Sequence, residues 1–326
     1  MTKRLRIGIL STAKIAGSFM IGAAQTPAIE VVAIASRDRG RAEAFARAHQ
    51  VPRCASYEEL LADREVDAIY NPLPNSLHAA WSIAALRAGK HVLCEKPLAM
   101  TEAEAQEMFA AADAHGVVLV EAFPYMFQAQ TLELERVIRG GEIGDVRLMF
   151  AAFGFTVDDP ANVRLDPALG GGALLDAGCY PVSFARQIFG ARPERIAAVA
   201  RFAHGVDMTL ATTLEYPGGG IAQIGCSFAT AVYRRAIIAG ATGVIETDYH
   251  NHTNRIPDPS YRIKRSTAWA ADFETVAVPR DDGFRAEIDA FAALIAGADH
   301  ASVAARRTAS IDNAWTLAKI RAAAAG

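Results

Sequence analysis

The fold of this chain is decided by one stretch, which reads Gly89-Lys90-His91-Val92-Leu93-Cys94-Glu95-Lys96-Pro97. Its middle, 92–94, is a short apolar run of the kind that forms a buried strand within a parallel sheet. A helix-like segment, 75–88, comes before the glycine, so the order predicts a helix that crosses over into a buried strand. In open α/β sheets the carboxyl ends of the strands border the ligand crevice, and Lys96 is predicted to lie there. A Glu-Lys pair that simply closes a strand at the surface is the alternative.

Strand-like and helix-like segments alternate throughout the first part of the chain. Six β-α steps within residues 1–122 predict a doubly wound parallel sheet, the α/β fold of nucleotide-binding domains. The predicted strands are 5–10, 29–36, 53–55, 66–70, 92–94 and 117–121. The first predicted helix opens at the turn 11–16 and runs to about 24, and the others cover 41–49, 56–61, 75–88 and 102–115.

The alternation stops after Phe123. Several strand-like runs then follow one another without helices between them, which predicts a large, mostly antiparallel sheet. The predicted strands are 146–157, 196–202, 209–216, 220–228, 235–239, 244–247, 261–265 and 274–278, with helices up to 138 and over 284–296 and 306–323. We therefore predict two domains: a dinucleotide-binding Rossmann domain over 1–122, and an α+β domain for substrate binding and oligomerisation over 123–326.

Composition limits the kinds of partner that the chain can have. The 326 residues are 52% hydrophobic and 21% charged with a net charge of −3, so no basic excess points to nucleic acid. No apolar run has the length of a membrane span, and the one near the N-terminus is too short for a signal peptide. The four cysteines lie far apart without a CxxC pair. Neither a zinc site nor a disulfide framework is therefore indicated, and a cytoplasmic protein is expected.

A dinucleotide-binding turn is predicted directly after the first strand. The usual G-x-G-x-x-G/A pattern reads S-x-A-x-x-A here, with Ser11, Ala13 and Ala16 at the three positions. Small residues allow a tight turn and the close approach of a pyrophosphate to backbone N–H groups at the helix start. A Cβ at position 13 should change how the pyrophosphate sits. The same Ser-Thr-Ala sequence also suits a simple helix N-cap.

The end of the second strand is the position that selects NAD or NADP. An acidic residue there binds the ribose hydroxyl of NAD, whereas an Arg accommodates the 2′-phosphate of NADP. This chain has Ser36-Arg37-Asp38-Arg39 with Arg41 close behind, and a hydroxyl and a guanidinium both donate to phosphate. Asp38 lies two residues beyond the end of the predicted strand, slightly too far along the chain for the ribose contact. The sequence therefore predicts NADP, with NAD as the second option, and a solvated charged turn is the alternative.

A second set of candidate residues follows a polar loop, 158–165, in the stretch from Gly170 to Pro181. Three glycines at its start allow the chain to turn and to approach a ligand closely. Asp176 and Tyr180 are four residues apart in a helix-compatible segment, so both side chains should project from one face. An Asp and a Tyr at this spacing, taken alone, more often contribute to packing than to catalysis.

Two of these stretches resemble the motifs of a known family. The run 88–97 resembles the central signature of the Gfo/Idh/MocA oxidoreductases, and 170–180 is similar to their second motif, G-G-G-x-L-x-D-x-G-x-H/Y. Most members have His at the last position, whereas Tyr180 matches a branch of sugar and dihydrodiol dehydrogenases. That branch also commonly reads Ile-Leu-Ser-Thr-Ala, as residues 9–13 do here. The resemblance covers nearly the whole chain.

The resemblance implies catalytic roles for Lys96, Asp176 and Tyr180. Oxidation of an alcohol removes a hydride and also a hydroxyl proton, which needs a base. A free Tyr has a pKa near 10, roughly three units too high for this task, and a nearby ammonium would lower it. We therefore expect Tyr180 to act as acid/base, Lys96 as its electrostatic partner and anchor of the substrate oxygen, and Asp176 to orient a hydroxyl. The exchange of roles between Lys96 and Tyr180 stays open.

The resemblance also implies a set of cofactor contacts. A Pro-containing loop, 71–75, would cover the dinucleotide, and Asn75 at its end would cap the next helix. His78 is either a cofactor contact or a structural helix residue, and Arg164 is either a basic residue near cofactor or substrate or a surface arginine. No metal site is expected. The expected cofactor-binding residues are Ser11, Thr12, Ala13, Lys14, Ile15, Ser36, Arg37, Arg41, Asn71, Leu73, Asn75, His78, Glu95, Lys96 and Arg164.

The activity implied by the resemblance is NADP-dependent oxidation or reduction at a secondary alcohol of a sugar, polyol or cyclic diol. An aldose 1-dehydrogenase is the first choice, and a trans-dihydrodiol dehydrogenase-like activity is the second. A catalytically silent, nucleotide-sensing regulator on the same fold is the rival from another class. The joint presence of Lys96, Asp176 and Tyr180 argues against it, because a sensor needs no proton-transfer set. The resemblance also implies a homodimer or homotetramer, in which the open sheet of the second domain is covered by another subunit.

Overall fold

The structure, a computed structural model, describes residues 4–297 and 300–326. Its contacts divide the chain into two compact units. The first runs to Ala99 and takes in Ala103–Pro124 and Asp282–Ser310. The second comprises Met100–Glu102, Tyr125–Asp281 and Ile311–Gly326. The predicted domain boundary after residue 122 lies two residues before the end of the stretch Ala103–Pro124 of the first unit.

The first unit contains a six-stranded sheet with helices between its strands. Its elements up to residue 122 are β1 Leu5–Leu10, α1 Lys14–Ala23, β2 Ile29–Ala35, α2 Arg39–His49, β3 Cys54–Ala55, α3 Tyr57–Ala62, β4 Ala68–Asn71, α4 His78–Arg87, β5 His91–Glu95, α5 Glu102–His115 and β6 Leu119–Ala122. Each strand and helix that the sequence predicts in this part is present, and the ends differ by no more than three residues.

All strands of this sheet run parallel, in the order β3-β2-β1-β4-β5-β6. β4 and β6 are buried along their full length and β5 is buried except at His91, as expected for strands covered on both faces. The order reverses between β1 and β4, and in sheets of this kind ligands bind outside the carboxyl ends of the strands at that point. The structure confirms the predicted doubly wound α/β fold.

The rest of the chain contains a second sheet and further helices. The elements are α6 Ala129–Arg139, β7 Val146–Thr156, α7 Cys179–Phe189, β8 Arg195–Ala203, β9 Val206–Glu215, β10 Ile221–Ser227, β11 Ala229–Gly240, β12 Val244–Thr247, β13 Ser260–Lys264, β14 Glu274–Ala277, α8 Gly283–Ile295 and α9 His300–Ala324. A π-helical turn, Leu174–Gly178, leads directly into α7.

The second sheet has eight strands in the order β14-β13-β12-β11-β7-β10-β9-β8. β7 and β10 run parallel, and every other neighbouring pair is antiparallel. The predicted large, mostly antiparallel sheet is therefore confirmed. α7 packs on β7 and β10 and covers one face. The opposite face presents apolar side chains such as Phe150 and Val199, which are 41% and 69% exposed.

The helix α8 packs on α1 of the first unit. Gly22 makes this packing possible, because a Cβ at that position would lie 2.6 Å from the Cβ of Phe284. A hydrogen bond from the Thr26 hydroxyl to Asp289 joins the same two segments. The sequence groups residues 282–310 with the second domain, whereas their contacts lie in the first unit.

Three further properties bear on the kinds of site that the chain can hold. None of the helices in the described ranges combines the length and the apolar character needed to cross a membrane. The described residues contain no group of three side chains that could hold a metal ion. All four cysteines are free thiols, and Cys94, Cys179 and Cys226 are buried.

Candidate active site

The turn after β1 departs from ordinary backbone geometry at Ser11. Ser11 has a φ of 103°, a conformation that residues other than glycine rarely adopt. Its N–H donates to the Ala35 carbonyl over 2.8 Å. The helix α1 begins at Lys14, and Ala13 before it makes no side-chain cap. The alternative of a simple Ser-Thr N-cap is therefore wrong, since a side-chain oxygen caps neither this turn nor the helix start.

The start of α1 differs from the starts of the next two helices. Asp38 caps α2 by accepting from the N–H of Arg41, and Ser56 caps α3 by accepting from the N–H of Glu59. In the described part of the chain α1 has no such side-chain acceptor. Its first backbone N–H groups are therefore available to an external oxygen. Because N–H groups at a helix start bind phosphate well, residues 11–15 fit the pyrophosphate of a dinucleotide.

The end of β2 carries the residues predicted to select the cofactor. The Ser36 hydroxyl accepts from the Asp38 N–H over 3.2 Å. Asp38 Oδ1 accepts from the Arg41 N–H over 3.0 Å, and Asp38 Oδ2 lies 3.8 Å from Arg41 Nε, so this carboxylate caps α2 and faces the Arg41 side chain. Arg37 lies beside the Tyr57 phenol. Burial raises the pKa of Tyr57, and the Arg37 charge reduces this rise without cancelling it.

Two buried side chains hold the loop that follows β4. The Asn71 amide donates to the His78 carbonyl and to the Ser82 hydroxyl, and its oxygen accepts from the Leu73 N–H. The two ring nitrogens of His78 lie 2.8 Å from the Pro97 carbonyl and 2.7 Å from the Leu73 carbonyl. Burial lowers the pKa of His78 to about 4, although both carbonyls favour the charged ring. His78 was predicted to be either a cofactor contact or a structural helix residue. The structural role is favoured, because its side chain contacts the backbone of the chain itself.

The start of α4 corrects one prediction. The sequence suggests Asn75 as the N-cap of this helix, but Asn75–Leu77 forms a 3₁₀ turn instead. The residue before the first α-helical residue is Leu77, which makes no side-chain cap. A tight 3₁₀ turn commonly precedes an α-helix, and here it moves the helix start three residues beyond the asparagine.

Lys96 directly follows β5, and its peptide bond to Pro97 is cis. The next residue, Leu98, donates its N–H to Glu121 Oε1 over 2.8 Å. Burial raises the pKa of Glu121 to about 7, against the opposing effects of its hydrogen bonds and of the Lys96 charge. Two buried side chains, Glu121 and His78, therefore hold the backbone that follows Lys96.

Glu121 is a site residue that motif reasoning missed. It lies at the carboxyl end of β6 and pairs in register with Cys94 of β5, two residues before Lys96. A carboxylate at the end of an otherwise apolar parallel strand was the signal that could have identified it. Glu95, predicted as a cofactor contact, is also buried and accepts from the Tyr70 hydroxyl over 2.5 Å.

The glycines of the second motif are required by the second unit's own packing. A Cβ at Gly171 would collide with the Arg164 carbonyl oxygen, and one at Gly172 would collide with the Asp207 carboxylate. Gly172 also has a φ of 117°. Asp207 in turn accepts from the Leu174 N–H over 2.7 Å, at the start of the π-helical turn. The sequence predicts that the glycines allow close approach to a ligand. At Gly171 and Gly172 the atoms that come close belong to the protein itself.

The π-helical turn carries Asp176, which forms an ion pair with Arg164. Arg164 Nε donates to Asp176 Oδ2 over 2.6 Å. The attraction of Asp176 raises the pKa of Arg164, and burial acts against it. A π turn within a helix is frequent at functional sites. Arg164 is therefore no isolated surface arginine, because it contacts a candidate catalytic residue.

Tyr180 lies in the first turn of α7 and is 7% exposed. Its oxygen accepts from the Asn251 amide over 3.3 Å. The guanidinium of Arg234 lies 4.4 Å from its ring centroid, and the Phe153 ring meets it edge-on. Motif reasoning identified neither Arg234 nor Asn251, because both are distant in sequence from the second motif.

The predicted site residues are therefore distributed over the two units. The first unit contains the turn 11–15, the predicted cofactor contacts Ser36, Arg37 and Arg41, the loop 71–75 and Lys96. In the second unit Arg164 pairs with Asp176 of the π-helical turn, and Tyr180 follows two residues after that turn.

Two family models match the chain. A model described as an oxidoreductase family with an NAD-binding Rossmann fold matches residues 5–123. A model of the GFO/IDH/MocA C-terminal domain matches residues 131–246.

Known proteins of similar sequence or structure include three of defined activity. The chain is 37% identical over 301 residues to a D-xylose 1-dehydrogenase (NADP(+)) from Haloferax volcanii, with 89% of each chain covered. It is 40% identical over 247 residues to a trans-1,2-dihydrobenzene-1,2-diol dehydrogenase from Mus musculus, with 74% of each chain covered. A 3-ketoreductase from Actinomadura kijaniata, in complex with NADP and TDP-benzene, has a TM-score of 0.91 at 31% identity. That match covers 99% of this chain and 98% of the ketoreductase.

Proposed function

The chain belongs to the Gfo/Idh/MocA oxidoreductase family, as its motifs predict, and from this membership we propose that it is an NADP-dependent dehydrogenase. It transfers a hydride between a secondary alcohol of a sugar, polyol or cyclic diol and the nicotinamide. The observation that carries the proposal is the environment of Tyr180, whose oxygen accepts an amide N–H and whose ring lies beside a guanidinium. Both contacts would stabilise negative charge on the phenol, and for this reason we assign the proton transfer to Tyr180.

The proposed mechanism assigns the proton to the residues of the chain. When bound, the nicotinamide takes up or returns the hydride. Tyr180 accepts the hydroxyl proton in the direction of oxidation and returns it in the direction of reduction. Lys96 stabilises the phenolate and holds the substrate oxygen, and Asp176 accepts a hydrogen bond from a substrate hydroxyl.

The proposed cofactor contacts follow the order of the first unit. The uncapped start of α1 supports pyrophosphate binding by residues 11–15. Ser36, Arg37 and Arg41 bind the 2′-phosphate of NADP in this proposal. The loop 71–75 contributes backbone contacts in this proposal, because the side chain of Asn71 is hydrogen-bonded to Leu73 of the loop and to His78 and Ser82 of α4.

An aldose 1-dehydrogenase is our first choice of activity, supported by the relative from Haloferax volcanii that covers 89% of the chain. A trans-dihydrodiol dehydrogenase activity is the second candidate, supported by the 40% identity to the mouse enzyme. The test is turnover with NADP⁺ and a panel of aldoses, polyols and trans-diols, followed by the absorbance of NADPH. We expect NADPH with at least one aldose. Tight NADP⁺ binding without turnover on any member of the panel would instead support a nucleotide-sensing regulator.

Replacement of Arg37 tests the proposed cofactor preference. Arg37→Ala is expected to weaken the binding of NADP⁺ by roughly ten- to a hundredfold, the usual value of a charge-assisted contact of about 1.5–3 kcal/mol. The binding of NAD⁺ should hardly change, because NAD⁺ has no 2′-phosphate to lose. Calorimetric titration of both cofactors measures the two effects.

Arg39→Ala is the matched control for this experiment. The Arg39 side chain is 86% exposed and pairs with Glu43, so its removal should leave the affinity for both cofactors unchanged. An equal loss of NAD⁺ and NADP⁺ affinity in Arg37→Ala would contradict the assignment.

We also propose that the chain forms a homodimer or homotetramer through the exposed face of its second sheet. This face contains a shallow apolar depression of about 700 Å³, lined by residues of β7, β8, β9, β10 and β11. Among its members are Phe150, Ala152, Ala197, Val199, Thr213 and Ile237. An apolar patch of this extent usually marks a protein–protein contact, and a second copy of the same sheet offers a surface of matching chemistry.

Light scattering tests this assembly. The wild type is expected to have at least twice the mass of one chain, whereas Val199→Asp should yield a monomer because it places a charge within the apolar contact. Trp269→Asp is the control, since Trp269 is 98% exposed and lies outside the sheet strands. A wild-type protein that is monomeric at assay concentrations would refute the proposal.

A cytoplasmic location completes the proposal. Its support is the state of the four cysteines, which are free thiols. A reducing compartment maintains thiols in this state.

A further inference from the structure

Arg234 occupies the centre of an aromatic cluster in the second unit. It lies on β11, paired in register with Phe153 of β7. Its guanidinium carbon lies 4.4 Å from the ring centroids of Tyr180 and Tyr249, and 5.1 and 5.5 Å from those of Phe153 and Tyr125. A cation over several ring faces is attracted by each of them, and the attraction increases where water is excluded.

The positive charge of Arg234 is not neutralised by a carboxylate. Its Nη1 donates to the Asn251 amide oxygen over 3.0 Å, and among the described residues it makes no ion pair. The guanidinium also lies within hydrogen-bonding reach of the Tyr249 phenol, and its charge opposes the effect of burial on the pKa of Tyr249. A second cation of the second unit near Tyr180, Arg164, is paired with Asp176. The field of Arg234 therefore acts mainly on the aromatic rings around it.

The three tyrosines of the cluster differ in what their oxygens do. The Tyr249 hydroxyl donates to the Ala152 carbonyl, which requires the neutral phenol, and Tyr249 is fully buried. The Tyr125 hydroxyl shares a hydrogen bond with Ser183 and is also fully buried, and burial raises its pKa well above the usual value. The Tyr180 oxygen accepts from the Asn251 amide, a contact that the phenolate form can also make.

We propose that Arg234 is a positioning residue for the reaction, which stabilises the phenolate form of Tyr180, and that Asn251 fixes the phenol oxygen. Arg234 binds the amide oxygen of Asn251 while the amide nitrogen of Asn251 binds Tyr180, so one short network joins the three side chains. This inference rests on the proposed function, in which Tyr180 moves the proton. Within the described part of the second unit, the other charged or titratable groups near Tyr180 include the Arg164–Asp176 pair, Tyr125, Tyr249 and the adjacent Cys179.

The test is an NMR titration of isotope-labelled tyrosine in the full-length protein. The Tyr180 resonance is identified by its loss in Tyr180→Phe. In Arg234→Gln the pKa of Tyr180 should rise by about one to two units, because removal of a cation at this distance disfavours the phenolate. The pH at which kcat rises should move upward with it. Arg234→Lys retains the charge, so the pKa of Tyr180 in this variant should stay close to the wild-type value.

The neighbouring residue supplies a matched control. Arg235 also lies on β11, pairs with Glu246 and is exposed on the face that carries Ile237, so Arg235→Gln should leave the Tyr180 titration unchanged. An unchanged Tyr180 pKa in a folded Arg234→Gln would overturn the proposal. If that variant does not fold, Asn251→Ala should raise the same pKa by a smaller amount, and the absence of a shift there would overturn it equally.

The titration also separates this inference from the proposed function, because it needs no substrate. A shifted Tyr180 without turnover on any alcohol would refute the dehydrogenase proposal and leave the Arg234 network standing. Turnover that depends on Tyr180, combined with a Tyr180 pKa insensitive to Arg234, would refute the network alone.

Discussion

Lys96→Met should lower kcat by roughly two to four orders of magnitude, the usual contribution of positioned acid–base catalysis. The substitution retains the length of the side chain and removes only the ammonium group. In the proposed mechanism that group stabilises the Tyr180 phenolate and holds the substrate oxygen. Its loss should therefore also move the rise of kcat with pH to higher pH. Steady-state kinetics across a range of pH measure both effects.

Lys96→Arg is the informative companion of this variant. It retains the positive charge but places it on a planar fork, so the pH dependence should stay close to that of the wild type while kcat falls. His78 and Glu121 fix the backbone beyond Lys96, which gives a longer side chain little freedom to compensate. A Lys96→Met enzyme with kcat within tenfold of the wild type would remove Lys96 from the mechanism.

Tyr180→Phe is expected to lower kcat by a similar roughly two to four orders of magnitude. Only the hydroxyl is lost, so the ring can still pack against Phe153 and Arg234 and the fold should be retained. The affinity for NADP⁺ should barely change, because the phenol acts on the substrate. Turnover and cofactor titration on the same preparation separate the two properties.

Tyr249→Phe is the matched control for Tyr180→Phe. Tyr249 lies at the same distance from Arg234, but its hydroxyl donates to the Ala152 carbonyl. Its replacement should cost about 1 kcal/mol of stability and leave kcat unchanged. Equal losses of kcat in both variants would indicate that the cluster is needed for packing rather than for proton transfer.

The sequence predicted the first unit well because its signals are local. Continuous apolar runs identify buried parallel strands, and the regular spacing of helices between them leaves little freedom in topology. Lys96 was predicted at the end of a buried strand from this order, and the structure has it directly after β5. The π-helical turn at Asp176 was not predicted, because a helix of either kind accommodates the same spacing of four residues.

The features that the sequence did not reveal depend on contacts between distant segments. Arg234 reaches Tyr180 only because β11 pairs with β7, and nothing in the alternation of β11 distinguishes this arginine from Arg235. The packing of 282–310 on the first unit depends on a glycine, Gly22, far away in the sequence. The parallel pairing of β7 with β10 was hidden for the same reason, since β8 and β9 lie between them in the chain.

The central claim is that Lys96 and Tyr180 act as one proton-transfer unit, and the double variant Lys96→Met/Tyr180→Phe tests it most directly. Residues that act on the same step are not additive, so kcat of the double variant should lie within about tenfold of the lower single variant. The measurement is single-turnover formation of NADPH at saturating NADP⁺ for the wild type, both single variants and the double variant. A double variant whose loss equals the product of the two single losses would contradict the claim and show that the two residues act independently.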